Sequence, residues 1–309
     1  MATQYYFQCP NCKNIEVYPD KTDITKKCKI CGYDVQSKDV RAFIEPKSFV
    51  TSAEKPNGAD PGLVRLKPPP SQEARLLNGA SDSDFEETSI SKIKWAYQDA
   101  TKGEMFIVNK GYGFGYKRCN CGYAEAWKPG KSLKAKHNTP YGEPCKSSWQ
   151  VDEKGKGILE DFAHLYHTDT LQIKIDKDLP SPPENIPEKE KIFWYESILF
   201  TLAEAIRMAA AEAININQRD ISGSFRVSGN KPEIVIYDST PGGAGYCDLI
   251  HKQNIKDILQ HAIRKLTCKR ECTNSCRSCL CSYENQNIWD KLNRKPVLKW
   301  IEEILSYES

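Results

Sequence analysis

The chain has 309 residues, of which 28% are charged and 39% hydrophobic, with a net charge of +3 and 13 cysteines. This length suits one large or two modest globular domains. No run approaches the ~18 consecutive apolar residues of a membrane-spanning helix, and the N-terminus lacks a secretory pattern, so we expect a cytoplasmic protein with no membrane association.

The cysteines are expected to bind metal. Clustered thiols in a reducing compartment are more often metal ligands than disulfides, and a secreted framework tends towards an even number of cysteines. Positive charge lies in the same segments as the thiols: nine Lys/Arg face three Asp/Glu within 101–150, and eleven face four within 251–300. This distribution predicts contact with a phosphate backbone, although a solvated basic face alone would look the same. The candidate nucleic-acid contacts are Lys117, Arg118, Lys131, Lys134, Lys136, Lys269, Arg270 and Arg277.

Residues 1–41 carry two Cys-x-x-Cys pairs with the spacing of a zinc ribbon. Each pair is followed by a short polar turn, as in two knuckles joined by a hairpin. A segment this short cannot bury a hydrophobic core, so metal binding would supply its folding free energy. A closed site of four thiolates has no open coordination position and is therefore expected to be structural. The predicted ligands are Cys9, Cys12, Cys28 and Cys31.

The next segment, 42–89, is poor in periodicity and rich in proline and acidic residues. It is interpreted as an extended linker, or as a strap lying across the neighbouring domain.

Residues 90–179 are predicted to form a β-rich, metal-binding subdomain. Two strand-like runs, SKIKWAYQDA and GEMFIVNKG, are separated by a Lys102-Gly103 turn, and alternation continues towards a Cys-x-Cys pair. A second zinc set is predicted from three cysteines and one histidine; the alternative is a surface histidine with unpaired thiols. Its members are Cys119, Cys121, His137 and Cys145.

Four polar residues before and at the TLQIKI strand could indicate a hydrolytic metal cluster: Asp161, His164, His167 and Asp169. Such chemistry needs open coordination positions and a placed base. We favour ordinary structural roles for these residues, as caps, turn formers and a hydrogen-bonded histidine.

Residues 180–309 are predicted to form an α/β domain. An alanine-rich helix is expected from Ile192 to about Ala213, followed by a strand pair joined by the Ser228-Gly229-Asn230 turn. A glycine-rich loop then leads into an amphipathic helix from Gly245 to Leu266, and a closing helix is expected to start at Pro296.

A cysteine knuckle follows the amphipathic helix. Cys276-x-x-Cys279 has the spacing that lets two thiolates share a tetrahedral ion. We favour a third zinc set of Cys268, Cys272, Cys276 and Cys279, with Cys281 as a rival fourth ligand. Cys247 is isolated in sequence and is interpreted as a small buried apolar residue.

The stretch Tyr237-Asp238-x-x-Pro241-Gly242-Gly243-x-Gly245-Tyr246, followed by the knuckle and 285–294, resembles the MrfA-type zinc-binding domain family. This domain is carried by superfamily-2 DNA-repair helicases and, in stand-alone form, by the B component of the DISARM phage-defence system. The segments FIEPKSF, FIVNKGYGFGYKRCNCGY and HLYHTDTLQI look similar to the latter. The chain departs from the family in the spacing of Cys268 and Cys272, and in having Asn293 where an aspartate usually precedes the arginine, here Arg294.

The sequence patterns predict a mixed α+β fold with an N-terminal zinc ribbon and further zinc knuckles, with about three zinc ions. The resemblance implies a DNA-associated role together with a helicase. Because no Gly-x-x-x-x-Gly-Lys-Ser/Thr phosphate loop occurs in the sequence, the motor is expected in a separate superfamily-2 helicase, and this chain is expected not to be an enzyme. The setting would be phage defence or DNA repair.

Two other classes of function remain open. A nucleotide-binding or metal-dependent nuclease enzyme could use Asp238 and the loop of Pro241, Gly242, Gly243 and Gly245 to hold a phosphate or an ion. That loop, however, has no lysine to reach the phosphates. A protein-interaction adaptor without DNA contact is the third hypothesis.

Overall fold

The computed structural model describes residues 3–46, 72–130, 132–133, 136–139, 141–152, 155 and 157–306. Within them the chain is a mixed α+β protein, as predicted. In chain order the strands are β1 (Gln4–Gln8), β2 (Ile15–Tyr18), β3 (Val40–Ile44), β4 (Gln72–Leu76), β5 (Glu86–Glu87), β6 (Ile93–Gln98), β7 (Glu104–Asn109), β8 (Tyr116–Arg118), β9 (Ala124–Ala126), β10 (Asp161–His167), β11 (Thr170–Ile175), β12 (Ile221–Ser228) and β13 (Lys231–Asp238). The helices are α1 (Lys191–Ala213), α2 (Tyr246–His251), α3 (Ile255–Leu266) and α4 (Arg294–Ser306), with short 3₁₀ turns between elements.

A six-stranded sheet has the order β2-β1-β3-β10-β7-β4. Its neighbours are antiparallel except β3 and β10, which run parallel. Aromatic side chains fill its buried face, with Tyr6, Phe43 and Phe106 in mutual ring contact. The strands next to the first cysteine pair are therefore part of a large sheet that includes strands more than 60 residues away in sequence.

A five-stranded antiparallel sheet has the order β12-β13-β11-β6-β5. Within the described residues the chain crosses between the two sheets three times, from β4 to β5, from β6 to β7 and from β10 to β11. The last two crossings touch where the Thr168 N–H donates to the Gly103 carbonyl at 3.0 Å. The two predicted runs around Lys102-Gly103 are thus strands, but they do not pair with each other. β6 pairs instead with β11, and β7 pairs with β10, each in antiparallel register over six residues.

The main core lies between the five-stranded sheet and helices α1, α3 and α4. Helix α1 is buried nearly all round from 198 to 211, where alanines allow close approach to β12 and α3. A helix that is apolar on every side is typical of a buried position. The prediction of this helix and of the strand pair β12–β13 is confirmed.

Two predicted helix boundaries are wrong. The expected helix from Gly245 to Leu266 is broken into α2 and α3, because the Asn254 side chain accepts a hydrogen bond from the Lys256 N–H at 2.9 Å and caps a new helix. Leu249 consequently points to solvent, with 46% of its surface exposed. The closing helix α4 begins at Arg294, so that Pro296 occupies its first turn, where proline is tolerated.

None of the helices in the described ranges is long and apolar enough to cross a membrane. Of the predicted segment 42–89, residues 47–71 lie outside the described residues, and the remainder supplies strand residues at both ends. The predicted domain boundaries stay predictions.

Candidate metal centres

The first cysteine pairs form two facing knuckles. The Lys13 N–H donates to the Cys9 carbonyl at 3.0 Å, and the Gly32 N–H donates to the Cys28 carbonyl at 2.9 Å. Both donors have positive φ, 60° for Lys13 and 71° for Gly32, so each chain turns sharply behind its thiols. The ligand atoms all lie within 4.8 Å of one another in the first site, Cys9, Cys12, Cys28 and Cys31.

The sulfur spacing fits a tetrahedral ion. Sγ of Cys9 lies 3.5 Å from Sγ of Cys31, and Sγ of Cys12 lies 3.6 Å from Sγ of Cys28. Four Zn–S bonds of about 2.3 Å would give edges of about 3.8 Å, whereas a disulfide needs about 2.0 Å. All 13 cysteines are free thiols.

The second site joins the β8–β9 hairpin to the segment that follows it. Cys119 and Cys145 bring their Sγ atoms to 3.7 Å, and Nε2 of His137 lies 3.3 Å from Sγ of Cys121. The His137 ring stacks on Tyr123 with a centroid distance of 4.4 Å, and Nε2 is the nitrogen that faces Cys121. The site therefore contains the predicted set Cys119, Cys121, His137 and Cys145.

The third site lies between the end of α3 and the start of α4. Cys268 and Cys276 are 3.6 Å apart at Sγ, and Cys272 and Cys279 are 3.7 Å apart. Backbone N–H groups of Cys276 and Ser278 point at sulfur, to Sγ of Cys279 at 3.2 Å and to Sγ of Cys276 at 3.4 Å. The set within 4.8 Å is Cys268, Cys272, Cys276 and Cys279.

Hydrogen bonding and burial shift the pKa values of two thiols of the third site in opposite directions. The Cys272 N–H lowers the pKa of Cys268 to about 6, whereas burial raises the pKa of Cys279 to about 12. Several negative sulfurs less than 4 Å apart repel one another in a partly buried site, so full ionisation requires a positive ion. Each of the three sets has four protein ligands, the arrangement of a closed structural site rather than a catalytic one.

Arg294 connects the third site to two helices. Its Nη1 donates to the Leu266 carbonyl at 3.1 Å, and its Nη2 and Nε donate to the Cys272 carbonyl at 2.6 and 3.0 Å. Nε also lies 3.3 Å from Sγ of Cys272. Arg294 therefore caps the end of α3 and holds the main chain of a ligand cysteine. Asn293 contributes its main chain, donating its N–H to Oγ1 of Thr201 on α1 at 2.8 Å.

The two remaining cysteines are outside the metal-binding sets. Sγ of Cys281 lies 3.3 Å from Oγ of Ser275, and it is not among the four sulfurs of the third site. Cys247 is fully buried at the start of α2, against the Ile236 carbonyl at 3.5 Å. The geometry favours Cys268 over Cys281 as the fourth ligand.

The glycine-rich loop is closed around two carboxylates of the chain itself. Asp238, fully buried, accepts hydrogen bonds from the N–H groups of Ala244, Tyr246 and Cys247 at 2.7, 3.1 and 3.0 Å. Asp169 accepts from Gly245 at 2.9 Å, and burial raises its pKa. These N–H groups are the ones that a phosphate would need, and they already have anionic partners.

The tight approach of the loop explains one of its glycines. A Cβ on Gly243 would lie 2.6 Å from Cγ of Asp169, and the residue has φ of 76°. Sequence analysis did not identify Asp169 as a partner of this loop. The two residues are separated by more than 70 positions, and only the pairing of β11 with β13 brings them together.

The four residues considered for a hydrolytic cluster do not converge. Asp161 is held by Arg41 through a two-pronged contact of 2.5 and 2.6 Å, and His164 contacts Glu45 at 2.5 Å on the exposed face of β10. Three of the four, Asp161, His164 and His167, lie within β10, so Asp161 and His167 are not the caps or turn formers that were expected. The hydrogen-bonded histidine is His164.

The candidate nucleic-acid contacts fall into three groups. Lys269, Arg270 and Arg277 are exposed around the third site, and Lys136 is exposed beside the second. Arg118 is engaged by Glu160 at 3.0 Å with 13% of its side chain exposed, and Lys117 lies over the Trp127 ring. Lys131 and Lys134 lie outside the described residues.

Residues 202–280 match the family model described as MrfA Zn-binding domain. This range contains the end of α1, the Asp238 loop and all four thiols of the third site. The resemblance to this family is therefore confirmed. The chain is also 24% identical over 319 aligned positions to Druantia protein DruE of Escherichia coli (strain UMEA 4076-1), covering 94% of this chain but only 16% of that relative.

Two solved structures show remoter similarity. Both are described as crystal structures of DUF1998 helicase MrfA, one bound to DNA and one bound to DNA and AMPPNP. Identities are 17% and 15%, with 76% and 50% of this chain and 25% of each of those chains covered, and the TM-scores are 0.42 and 0.27. Similarity at these scores is too remote to transfer an activity.

Proposed function

We propose that this chain, which carries an MrfA Zn-binding domain at 202–280, is a non-catalytic, zinc-stabilised, DNA-associated subunit that acts with a separate superfamily-2 helicase in phage defence or DNA repair. The observation that carries the proposal is the group of exposed cations beside the third metal site. Lys269, Arg270 and Arg277 project from a knuckle whose shape would be fixed by a metal ion and by Arg294.

Zinc is the metal that these sites fit best. Eleven of the twelve ligands are thiols and the twelfth is an imidazole, which is the ligand preference of tetrahedral structural zinc. We infer three zinc ions in the chain. Each would hold a loop that has too few apolar residues to fold alone.

The enzymatic alternative has less support. In the glycine-rich loop the N–H groups of 244–247 donate to Asp238 and Asp169. The N–H group of Gly242 donates to the His167 carbonyl at 2.8 Å. A nucleotide phosphate would have to displace buried carboxylates to enter. These 309 residues contain no Gly-x-x-x-x-Gly-Lys-Ser/Thr phosphate loop, so the motor of the proposed function lies outside them.

DNA binding should be electrostatic and depend weakly on sequence. Raising salt from ~50 to ~200 mM should weaken binding of a labelled oligonucleotide by about tenfold or more if several phosphates are neutralised. Replacing Lys269, Arg270 and Arg277 by glutamate together should reduce affinity for unrelated sequences alike and flatten the salt dependence.

The matched control carries the same change of charge elsewhere. Lys102, Lys252 and Lys299 are exposed and are not among the candidate nucleic-acid contacts, so their triple replacement by glutamate should have a much smaller effect. Equal losses in both variants would show that only net charge matters. Absence of binding by the wild-type protein at low salt would overturn the DNA-associated role and favour a protein adaptor.

A further inference from the structure

An exposed surface of aromatic rings and lysines lies beside the second metal site. Tyr112 and Phe114 are 52% and 45% exposed, and Phe114 meets Trp127 edge to face at 6.0 Å between centroids. Nζ of Lys117 lies 4.8 Å from the Trp127 centroid, and Nζ of Lys128 lies 5.6 Å from that of Tyr112. We call these five residues the aromatic–lysine patch. Single exposed rings are ordinary, but a contiguous group of them usually marks an interaction site.

Hydrogen bonds and glycines with positive φ fix the backbone of the loop that carries Tyr112 and Phe114. Gly113 and Gly115 both donate their N–H to the Lys110 carbonyl at 2.9 Å, and the Trp127 N–H donates to the Gly115 carbonyl at 3.0 Å. Gly113 and Gly115 have φ of 92° and 88°, and a Cβ on Gly115 would lie 2.9 Å from the Glu160 carbonyl oxygen. A ring held by such a loop loses little freedom when it binds a ligand.

Two lysines flank the rings of the patch, and Glu125 is the cross-strand neighbour of Lys117. The nearby carboxylates of Asp161 and Glu160 are engaged by Arg41 and Arg118 through contacts of 2.5 and 3.0 Å. Lys128 is exposed and Lys117 half-buried, each with its ammonium above a ring. An ammonium over a ring gains only a little at an exposed site, so it can move to a phosphate at small cost.

Aromatic rings next to lysines match the chemistry of single-stranded nucleic acid. Unpaired bases stack on aromatic side chains while lysines contact the adjoining phosphates. In a duplex the base faces are already stacked and cannot reach the rings. We propose that the aromatic–lysine patch is a stacking site for unpaired bases of single-stranded DNA. The inference deepens the proposed function, because it names the strand state that this part of the chain would recognise.

The test compares three labelled probes at one salt concentration: a thymidine oligonucleotide, an abasic oligonucleotide of the same length, and a duplex. We expect the wild-type protein to bind the thymidine strand about tenfold more tightly than the abasic strand, because only the thymidine strand has bases that stack on the rings. Both strands have the same phosphates, so the difference in affinity measures the contacts with the bases. The Tyr112→Ala/Phe114→Ala variant should lose about tenfold or more for the thymidine strand and less than about twofold for the duplex.

Two controls separate stacking from a change of fold. Tyr112→Phe/Phe114→Tyr keeps both rings and should bind as the wild type does. Phe193→Ala removes a ring that is 67% exposed on α1, outside the patch, and should leave all three affinities unchanged. Each variant is compared at equal zinc content and equal thermal stability, and the abasic probe tests the idea without any substitution.

The outcomes distinguish this inference from the function on which it rests. Equal wild-type affinity for the thymidine and abasic strands, or no selective loss in the alanine variant, would overturn the stacking site and leave electrostatic DNA binding intact. A wild-type protein that binds none of the probes would overturn both.

Discussion

Among the side chains that are not ligands, Arg294 supports the third metal site most directly. It is 6% exposed and ties the last carbonyl of α3 to the carbonyl of a ligand cysteine. A cation at the end of a helix is favoured by the helix dipole, and a donor to a bound thiolate orients that ligand and lowers its charge density. One side chain therefore stabilises both a helix terminus and a metal site.

We predict that Arg294→Met destabilises the third site while the other two remain loaded. Methionine keeps much of the volume but leaves the Leu266 and Cys272 carbonyls without their donors, at a cost of about 2–3 kcal/mol. The expected results are a lower midpoint of thermal unfolding and release of one metal ion at a chelator concentration about 10–100-fold lower than in the wild type. Lys295→Met removes the neighbouring exposed charge and should do neither. Unchanged metal release in Arg294→Met would contradict the role given to this arginine.

The glycine-rich loop shows how an element is fixed by contacts distant in sequence. Its N–H groups converge on carboxylates at the ends of β13 and β11, so the start of α2 is held against the five-stranded sheet. Glycine at 243 is required because Asp169 occupies the place of a side chain. The loop is in this respect an internal anion-binding site whose anions are part of the protein.

Asp238→Asn tests this interpretation. The carboxylate accepts three main-chain N–H groups, and an amide must turn an NH₂ towards at least one of them, so we expect a loss of about 2–3 kcal/mol in the free energy of unfolding measured with denaturant. Asp248→Asn on the same short helix is the control. That carboxylate pairs with Lys252 near the surface, and its loss should change stability by less than about 0.5 kcal/mol.

The same variant separates the scaffold from the enzyme hypothesis. Labelled DNA incubated with Mg²⁺ or Mn²⁺ should remain intact with the wild-type protein. Metal-dependent cleavage that disappears in Asp238→Asn, in a variant that remains folded, would contradict the scaffold interpretation.

What could be predicted from the sequence is largely what lies close together in it. Cys-x-x-Cys pairs bring their own thiols together, so the first set and the pair Cys276 and Cys279 follow from spacing. Spacing alone left open the second set and the choice between Cys268 and Cys281. The break at Asn254 was missed because the apolar positions on both sides keep helical spacing, and only the cap reveals a new start.

The remainder depends on sheet pairing between distant strands. Nothing local in Ile93–Gln98 and Glu104–Asn109 shows that they enter different sheets, since both are short apolar-rich runs on either side of one Lys-Gly turn. The carboxylate partners of the glycine-rich loop and the anchoring of Asp161 by Arg41 follow from that pairing. They could be found only after the order of the strands was known.

At the scale of the whole molecule, the metal sites are distributed so that each one stabilises a different part. The first site contacts the five-stranded sheet where the Val227 N–H donates to the Cys12 carbonyl at 3.2 Å, and it is tied to α1 by Lys13 and Glu196 at 3.1 Å. The second stabilises the short sheet of β8 and β9, and the third joins α3 to α4. Loss of one ion should therefore loosen one region before the others.

We predict about three zinc ions per chain, measured by elemental analysis on protein that has never met a chelator. A value of one or none would contradict the assignment of these sets as resident metal sites. Cys276→Ser should reduce the content to two, because an ion with three thiolates is under-coordinated and its binding energy is part of the folding energy. Cys268→Ser should do the same, whereas Cys281→Ser and Cys247→Ala should keep three.

We predict that the loss of hydrogen-exchange protection in Cys276→Ser is confined to the region around the third site. Hydrogen exchange should accelerate in α3 and α4, which are joined through the third site, while the strands β1 to β3 beside the first site keep their protection. Cys247→Ala is the matched control, because it removes a fully buried thiol from α2 without touching a ligand. If Cys281→Ser loses an ion and Cys268→Ser does not, the fourth ligand is Cys281. Uniform acceleration through all the sheets would instead show that the three sites stabilise a single cooperative unit.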